Sequence, residues 1–131
     1  MFDVPSDFHR ALQAQHLELE PGELEQLSRY LELLYEANEH VNLTAVRDPQ
    51  EAWNRHLLDS LSLLPLIRSV GAQHVLDLGS GGGLPGIPLA VTMPDIEFML
   101  LEATGKKAAF LEDTSRRLGL ENVVVLDERA E

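Results

Sequence analysis

The chain has 131 residues, with 22 Asp and Glu against 10 Lys and Arg and a formal net charge of −12. Indiscriminate binding to a polyanion is excluded, because each phosphate contact calls for a cation, and any nucleic-acid contact must be made by a local patch. There is no cysteine, hence no disulfide framework and no thiolate chemistry, which suits a reducing cytoplasm. No basic leader precedes an apolar run and no stretch approaches the ~20 residues of a membrane span. The expectation is a soluble protein of about one and a half domains.

The first predicted helix starts with Ser6 as its cap and runs to about Gln15, with Phe8, Ala11 and Leu12 inward. Glu20-Pro21-Gly22 punctuates the chain. A second helix follows, whose Leu24, Leu27, Leu31, Leu34 and Asn38 recur at core spacing, with Tyr30 and Tyr35 flanking the stripe. Asp48-Pro49-Gln50-Glu51 opens a third: a capping aspartate, a proline next, a glutamate three after the cap. It carries Ala52, Trp53, His56, Leu57, Ser60, Leu61 and Leu64 on one side, and Pro65 ends or kinks it. Asp59 is an alternative cap for a separate short helix.

Near Ser69 to Gln73 the pattern changes to strand, glycine turn, helix, strand, helix, strand, the alternation of an open parallel sheet. Residues 1–70 are therefore predicted as a helical region and 71–131 as a sheet domain. Strand one spans His74 to Leu78, with Val75, Leu76 and Leu78 expected to be buried. A helix from about Pro85 to Met93 leads to strand two, Ile96 to Glu102. A second, from Gly105 to Leu118, is closed by Gly119 and leads to strand three, Asn122 to Leu126.

The chemistry concentrates in V-L-D-L-G-S-G-G-G-L-P-G, Val75 to Gly86. Gly79, Gly81, Gly82 and Gly83 allow a tight bend and a close approach by a ligand, and Pro85 suits the start of a helix whose unpaired N–H groups would face that ligand. Gly81, Gly83 and Gly86 satisfy the G-x-G-x-x-G of a dinucleotide site. Asp77, Gly79, Gly81 and Gly83 fit the acid-x-G-x-G-x-G of an S-adenosylmethionine site, which gives Asp77 a task, whereas beside a pyrophosphate it would repel. A turn serving only strand-to-helix packing is the plainest alternative.

Glu102 ends strand two nineteen positions after Gly83, close to the ~20 expected of an acid that grips ribose hydroxyls. Ala103 and Thr104 follow at the ligand-facing edge. An exposed acid at a strand end is the simpler reading of Glu102. His56 and Asp59 invite a catalytic role, although such a pair more often orders a helix junction, and Asn42 and Thr44 read first as turn residues. The five histidines lack metal-ligand spacing, so no metal is expected. For RNA the candidate cations are Arg47 and Arg55, Lys106 and Lys107, and Arg116 and Arg117, the last two also serving to offset a helix dipole.

The motifs L-D-L-G-S-G-G-G-L-P-G-I-P (Leu76 to Pro88) and L-L-E-A-T-G-K-K-A-A-F-L (Leu100 to Leu111), with N-L-T-A-V-R-D-P (Asn42 to Pro49) and R-H-L-L-D-S (Arg55 to Ser60), resemble the glucose-inhibited division protein B family. That family comprises the small-subunit ribosomal RNA guanine-N7 methyltransferases. The resemblance implies an α/β fold, a helical N-terminal region followed by the first half of a Rossmann-like S-adenosylmethionine-dependent methyltransferase sheet. It implies a cytoplasmic enzyme with small-subunit ribosomal RNA as partner and no need for a catalytic side chain. Carried over, the cofactor contacts fall on Gly79, Leu84, Glu102, Ala103, Thr104, Ala130 and Glu131, beside the Asp77, Ser80, Gly81 and Gly83 of the bend. The family's further strands and a cofactor-contacting arginine have no counterpart here. The chain thus reads as truncated after strand three, and it is expected to be either marginally folded alone or self-associated through the unpaired edge of strand one. A cofactor- or partner-binding module without turnover, and a nicotinamide-dependent oxidoreductase, remain the alternatives.

Overall fold

The computed structural model describes residues 2–127 and packs a helical region onto the helices that cover one face of a three-stranded sheet. Helix α1 (Ser6–Ala14) turns Phe8 and Leu12 inward, and the Phe8 ring meets that of Trp53 edge to face at 5.0 Å. Pro5 holds the N-cap position and no side chain caps the helix, so Ser6 is its first residue rather than its cap. Helix α2 (Glu23–Asn38) buries Leu27, Leu31 and Leu34 completely, as their spacing predicts, and Tyr30 with them. Asn38 then organises the exit, its side-chain oxygen accepting the N–H groups of Leu43 and Thr44 at 2.8 and 3.0 Å.

The capping aspartate behaves as expected: Asp48 Oδ1 accepts the Gln50 N–H at 3.0 Å, with Pro49 opening helix α3 (Pro49–Ala52). The third helix is not continuous α-helix, however. It widens into a π-helical segment (Trp53–Leu58) and resumes as α4 (Asp59–Leu61). Leu58 holds the N-cap position of α4 and no side chain bonds there, so Asp59 does not cap. Pro65 lies in the first turn of a separate helix, α5 (Leu64–Ser69), where its missing N–H costs little.

Strands β1 (His74–Leu78), β2 (Glu97–Leu101) and β3 (Val123–Leu126) are parallel in the order β1-β2-β3, with Asp77 opposite Leu100 and Leu100 opposite Val125. Helices α6 (Gly86–Thr92) and α7 (Gly105–Arg117) form the crossovers. Crossovers between parallel strands are right-handed, and two in succession in the same direction put both helices on one face. Phe98 and Leu100 on that face are 1% and 0% exposed. The opposite face is bare among the described residues: Leu76, Leu78, Met99 and Val124 are 55%, 59%, 42% and 53% exposed. The expected burial of Leu76 and Leu78 therefore fails, because alternate residues of a strand point to opposite faces and only one face is covered. At the start of β3 the Asn122 amide nitrogen reaches the carbonyls of Ala90, Met93 and Ile96 at 3.0 to 3.1 Å, tying that strand to the end of α6.

Candidate cofactor site

The site is built at the carboxyl ends of the strands, where ligands bind in open α/β sheets. After β1 the chain folds back through Gly79, Gly81 and Gly83, with φ of 68°, 56° and 95°. These left-handed values favour glycine. On the outer side of Gly79 nothing lies within 4 Å of where a Cβ would stand, while a Cβ on Gly83 would meet Ile87 Cδ1 at 2.7 Å. The bend is thus open towards solvent at its start and packed at its end. Gly82 lies against Leu34 and the Leu43 carbonyl, and its own carbonyl accepts the Tyr30 hydroxyl at 2.6 Å. Burial, and after it the charge of Asp77, pushes the Tyr30 phenol far above its ordinary range, so it stays protonated and donates.

Two carboxylates hold the bend. Asp77 Oδ2 accepts the Gly86 N–H at 3.1 Å, and burial raises its pKa against the opposing effect of the Ser80 and Gly86 hydrogen bonds. The first N–H groups of α6 are therefore not turned to a ligand, contrary to expectation: Gly86 serves Asp77 and Ile87 donates to the Gly83 carbonyl at 2.7 Å. A pyrophosphate placed at this helix terminus would meet a carboxylate, which the G-x-G-x-x-G reading does not accommodate. Pro85 stands at the N-cap rather than within the helix, after a cis peptide bond from Leu84.

Glu102 is 7% exposed, which removes the reading of an exposed strand-end acid. Its Oε1 accepts the Gly81 N–H and its Oε2 the Thr104 N–H, each at 2.9 Å. Burial works to raise its pKa, but the Thr104 and Gly81 N–H groups and the nearby Lys107 outweigh it and hold the carboxyl below its ordinary range. The Gly81 and Thr104 N–H groups take two of the roughly four lone-pair positions of an ionised carboxylate and the Ala103 N–H also acts on it, so Glu102 retains acceptor capacity for a hydroxyl donor.

Gly79, Gly81, Glu102, Ala103 and Thr104 thus come together at one rim, with Gly79, Ala103 and Thr104 exposed. Ser80 is buried, its hydroxyl on the Asp77 carbonyl at 3.2 Å, so its side chain faces away from the rim. Leu84 closes the loop and borders a groove of 230 Å³ whose other wall includes Arg55, His56 and Asp59. Arg47 borders a separate hollow of 470 Å³ with Asn42 and Thr44. Lys106 is exposed at the start of α7, and Lys107 acts electrostatically on Glu102. Ala130 and Glu131 lie outside the described residues. Sequence reasoning missed Tyr30 and the π-helical segment. Tyr30 sits beside an apolar stripe, and a buried phenol needs a partner, the one signal that was available. No described helix is long and apolar enough to cross a membrane.

Residues 23–131 match the family model described as GidB, rRNA small subunit methyltransferase G. The chain is 48% identical over 128 residues to a Ribosomal RNA small subunit methyltransferase G of Sorangium cellulosum, covering 97% of this chain and 54% of that protein. It is 50% identical over 129 residues to the protein of the same description from Xanthomonas axonopodis pv. citri, covering 98% of this chain and 58% of the other. The chain therefore spans little more than half the length of the curated relatives it matches. In fold it is similar to a solved structure of a candidate O-methyltransferase from Klebsiella pneumoniae, with a TM-score of 0.56 at 20% identity, over 92% of this chain and 48% of that one. The glycine bend, the parallel half-sheet and the sequence agree: this chain belongs to the GidB family, rRNA small subunit methyltransferase G.

Proposed function

We propose that this chain holds the cofactor-binding part of an S-adenosylmethionine-dependent enzyme that methylates N7 of a guanosine in small-subunit ribosomal RNA in the cytoplasm. The observation that carries the reading is the pair of carboxylates locking the bend: Asp77 on Gly86, and Glu102 on Gly81 and Thr104. The donor set fits the group. Open space over Gly79 admits the amino-acid end of the cofactor, the Leu84 N–H has no partner among the described residues, and Glu102 retains acceptor capacity for a ribose hydroxyl. An ionised Glu102 also favours a cation over a phosphate. When bound, the cofactor supplies an electrophilic sulfonium methyl.

Guanine N7 has a lone pair and no proton, so the protein's task is alignment and exclusion of water rather than general-base catalysis. Asp77 and Glu102 fix the loop, Ala103 and Thr104 border the nucleoside side, and Arg47, Arg55 and Lys106 offer cations for the RNA backbone. The free edge of β1 and the bare sheet face favour self-association of this chain. Calorimetry tests the cofactor reading: S-adenosylhomocysteine is expected to bind and NAD is not. NAD binding with no response to S-adenosylhomocysteine would overturn it. Methyl transfer to unmodified small-subunit RNA, by this chain and by a chain as long as its relatives, tests the reaction.

A further inference from the structure

Resting on that reading, the geometry points to the groove between the π-helical segment and Leu84-Pro85 as the seat of the target base, with the Asp59 carboxylate recognising guanine through its N1–H and N2 amino group. The groove measures 230 Å³, below the ~300–1,000 Å³ of pockets for drug-sized ligands, and so suits one base rather than a whole cofactor. It adjoins the glycine bend, since Leu84 and Pro85 form one wall and Arg55, His56 and Asp59 stand on the other.

Asp59 is exposed and its charge is felt by His56 in the same groove, but no hydrogen bond ties its carboxylate among the described residues. By contrast, His56 is fixed: its Nε2 lies 2.7 Å from Thr44 Oγ1, and burial, opposed by weaker effects, lowers its pKa so that the ring is neutral at pH 7. Among the described residues the ion pair of Arg55 is a 3.8 Å contact to Glu51 in solvent, which leaves the guanidinium able to turn to a phosphate. Single-turn π-helical insertions recur at functional sites because they re-aim side chains without breaking the helix. Here the insertion ends at the residue before Asp59.

The chemistry selects guanine. It presents two adjacent donors, N1–H and the N2 amino group, and a carboxylate accepts both, whereas adenine offers an acceptor at N1. Contact at that edge leaves N7, on the opposite side of the purine, open to the sulfonium methyl. In the transfer the S–CH3 bond breaks with its electron pair left on sulfur as a thioether. The N7 lone pair forms the new bond, and the base becomes a cation with no proton released. As positive charge enters the ring, N1–H becomes a stronger donor, so the Asp59 contact tightens towards the transition state.

The test uses the chain saturated with S-adenosylhomocysteine and three fluorescein-labelled nine-residue oligoadenosines bearing a central guanosine, inosine or adenosine. Fluorescence anisotropy is expected to show guanosine bound roughly tenfold tighter than adenosine, with inosine, which lacks the N2 amino group, between them. Asp59→Asn is expected to reduce the preference to within about twofold and Asp59→Glu to retain part of it, both with unchanged melting and S-adenosylhomocysteine affinity. Equal binding of the three oligonucleotides by the cofactor-bound chain, or a guanosine preference that survives Asp59→Asn, would overturn the proposal. Calorimetry of S-adenosylhomocysteine alone reads the cofactor assignment separately, so the two failures are distinguishable.

Discussion

The hydroxyl of Tyr30, on the second helix, donates to the carbonyl of Gly82, fifty-two residues later in the glycine bend, over 2.6 Å. Through this bond the helical region helps to hold the glycine bend, where a Cβ on Gly82 would meet Leu34 Cδ1 at 3.0 Å and the Leu43 carbonyl at 3.1 Å. Tyr30→Phe keeps the ring and deletes the donor, leaving a buried carbonyl unpaired at about 1–3 kcal/mol. The expected result is a melting temperature lower by several degrees and a several-fold loss of S-adenosylhomocysteine affinity, read by calorimetry. An unchanged affinity would show that the loop keeps its shape without the helical region.

Glu102 is expected to govern both the affinity and the acid limit of the site. Glu102→Gln replaces one acceptor by an amide NH2 that faces a backbone N–H, so one of the two bonds to Gly81 and Thr104 is lost. Affinity for S-adenosylhomocysteine should fall by about tenfold or more, since charge-assisted hydrogen bonds are the stronger class. The folded-state pKa is depressed, so the stabilisation is present above the ordinary carboxylate value and is lost as pH falls through the folded one. Wild type and variant should therefore differ in melting temperature at pH 7 and converge in acid.

His56 has the same sign at a higher pH. Its folded pKa is lowered chiefly by burial, so the unfolded chain binds the proton more readily. The neutral ring beside Thr44 contributes stability that is full above the unfolded value of about 6.5 and is lost as pH falls below it. Melting curves between pH 8 and 5 should show a decline that His56→Gln reduces. A decline of the same size in the variant would assign it to other groups.

What the sequence disclosed was local. Asp48 caps its helix and Glu102 stands at the loop because a cap is set by three or four neighbouring residues and the acid by its distance along one βαβ unit. The reading of Leu76 and Leu78 failed for a non-local reason: an apolar run resembles a strand buried on both faces, but the two crossover helices share a side. The π-helical segment was hidden because Trp53, His56 and Leu57 keep three- and four-residue spacings that serve an α-helix equally well. Tyr30 looked like core and is core. Its role rests on a partner fifty-two residues away, which no periodicity reports.

The bare sheet face yields the last expectation. Leu76, Leu78, Met99 and Val124 form an apolar surface on strands whose outer edge, at β1, has no neighbouring strand among the described residues. Such an edge is a template for pairing with another copy, and the exposed side chains reward it. Sedimentation velocity at rising concentration should therefore show association of this chain, with a melting temperature that depends on concentration. Leu78→Lys together with Met99→Lys places charge on that surface without touching the packed side of the sheet. The double variant should sediment as a monomer while keeping its S-adenosylhomocysteine affinity, since neither side chain faces the covered core. A wild-type chain that stays monomeric, with melting independent of concentration, would contradict association through this part of the sheet.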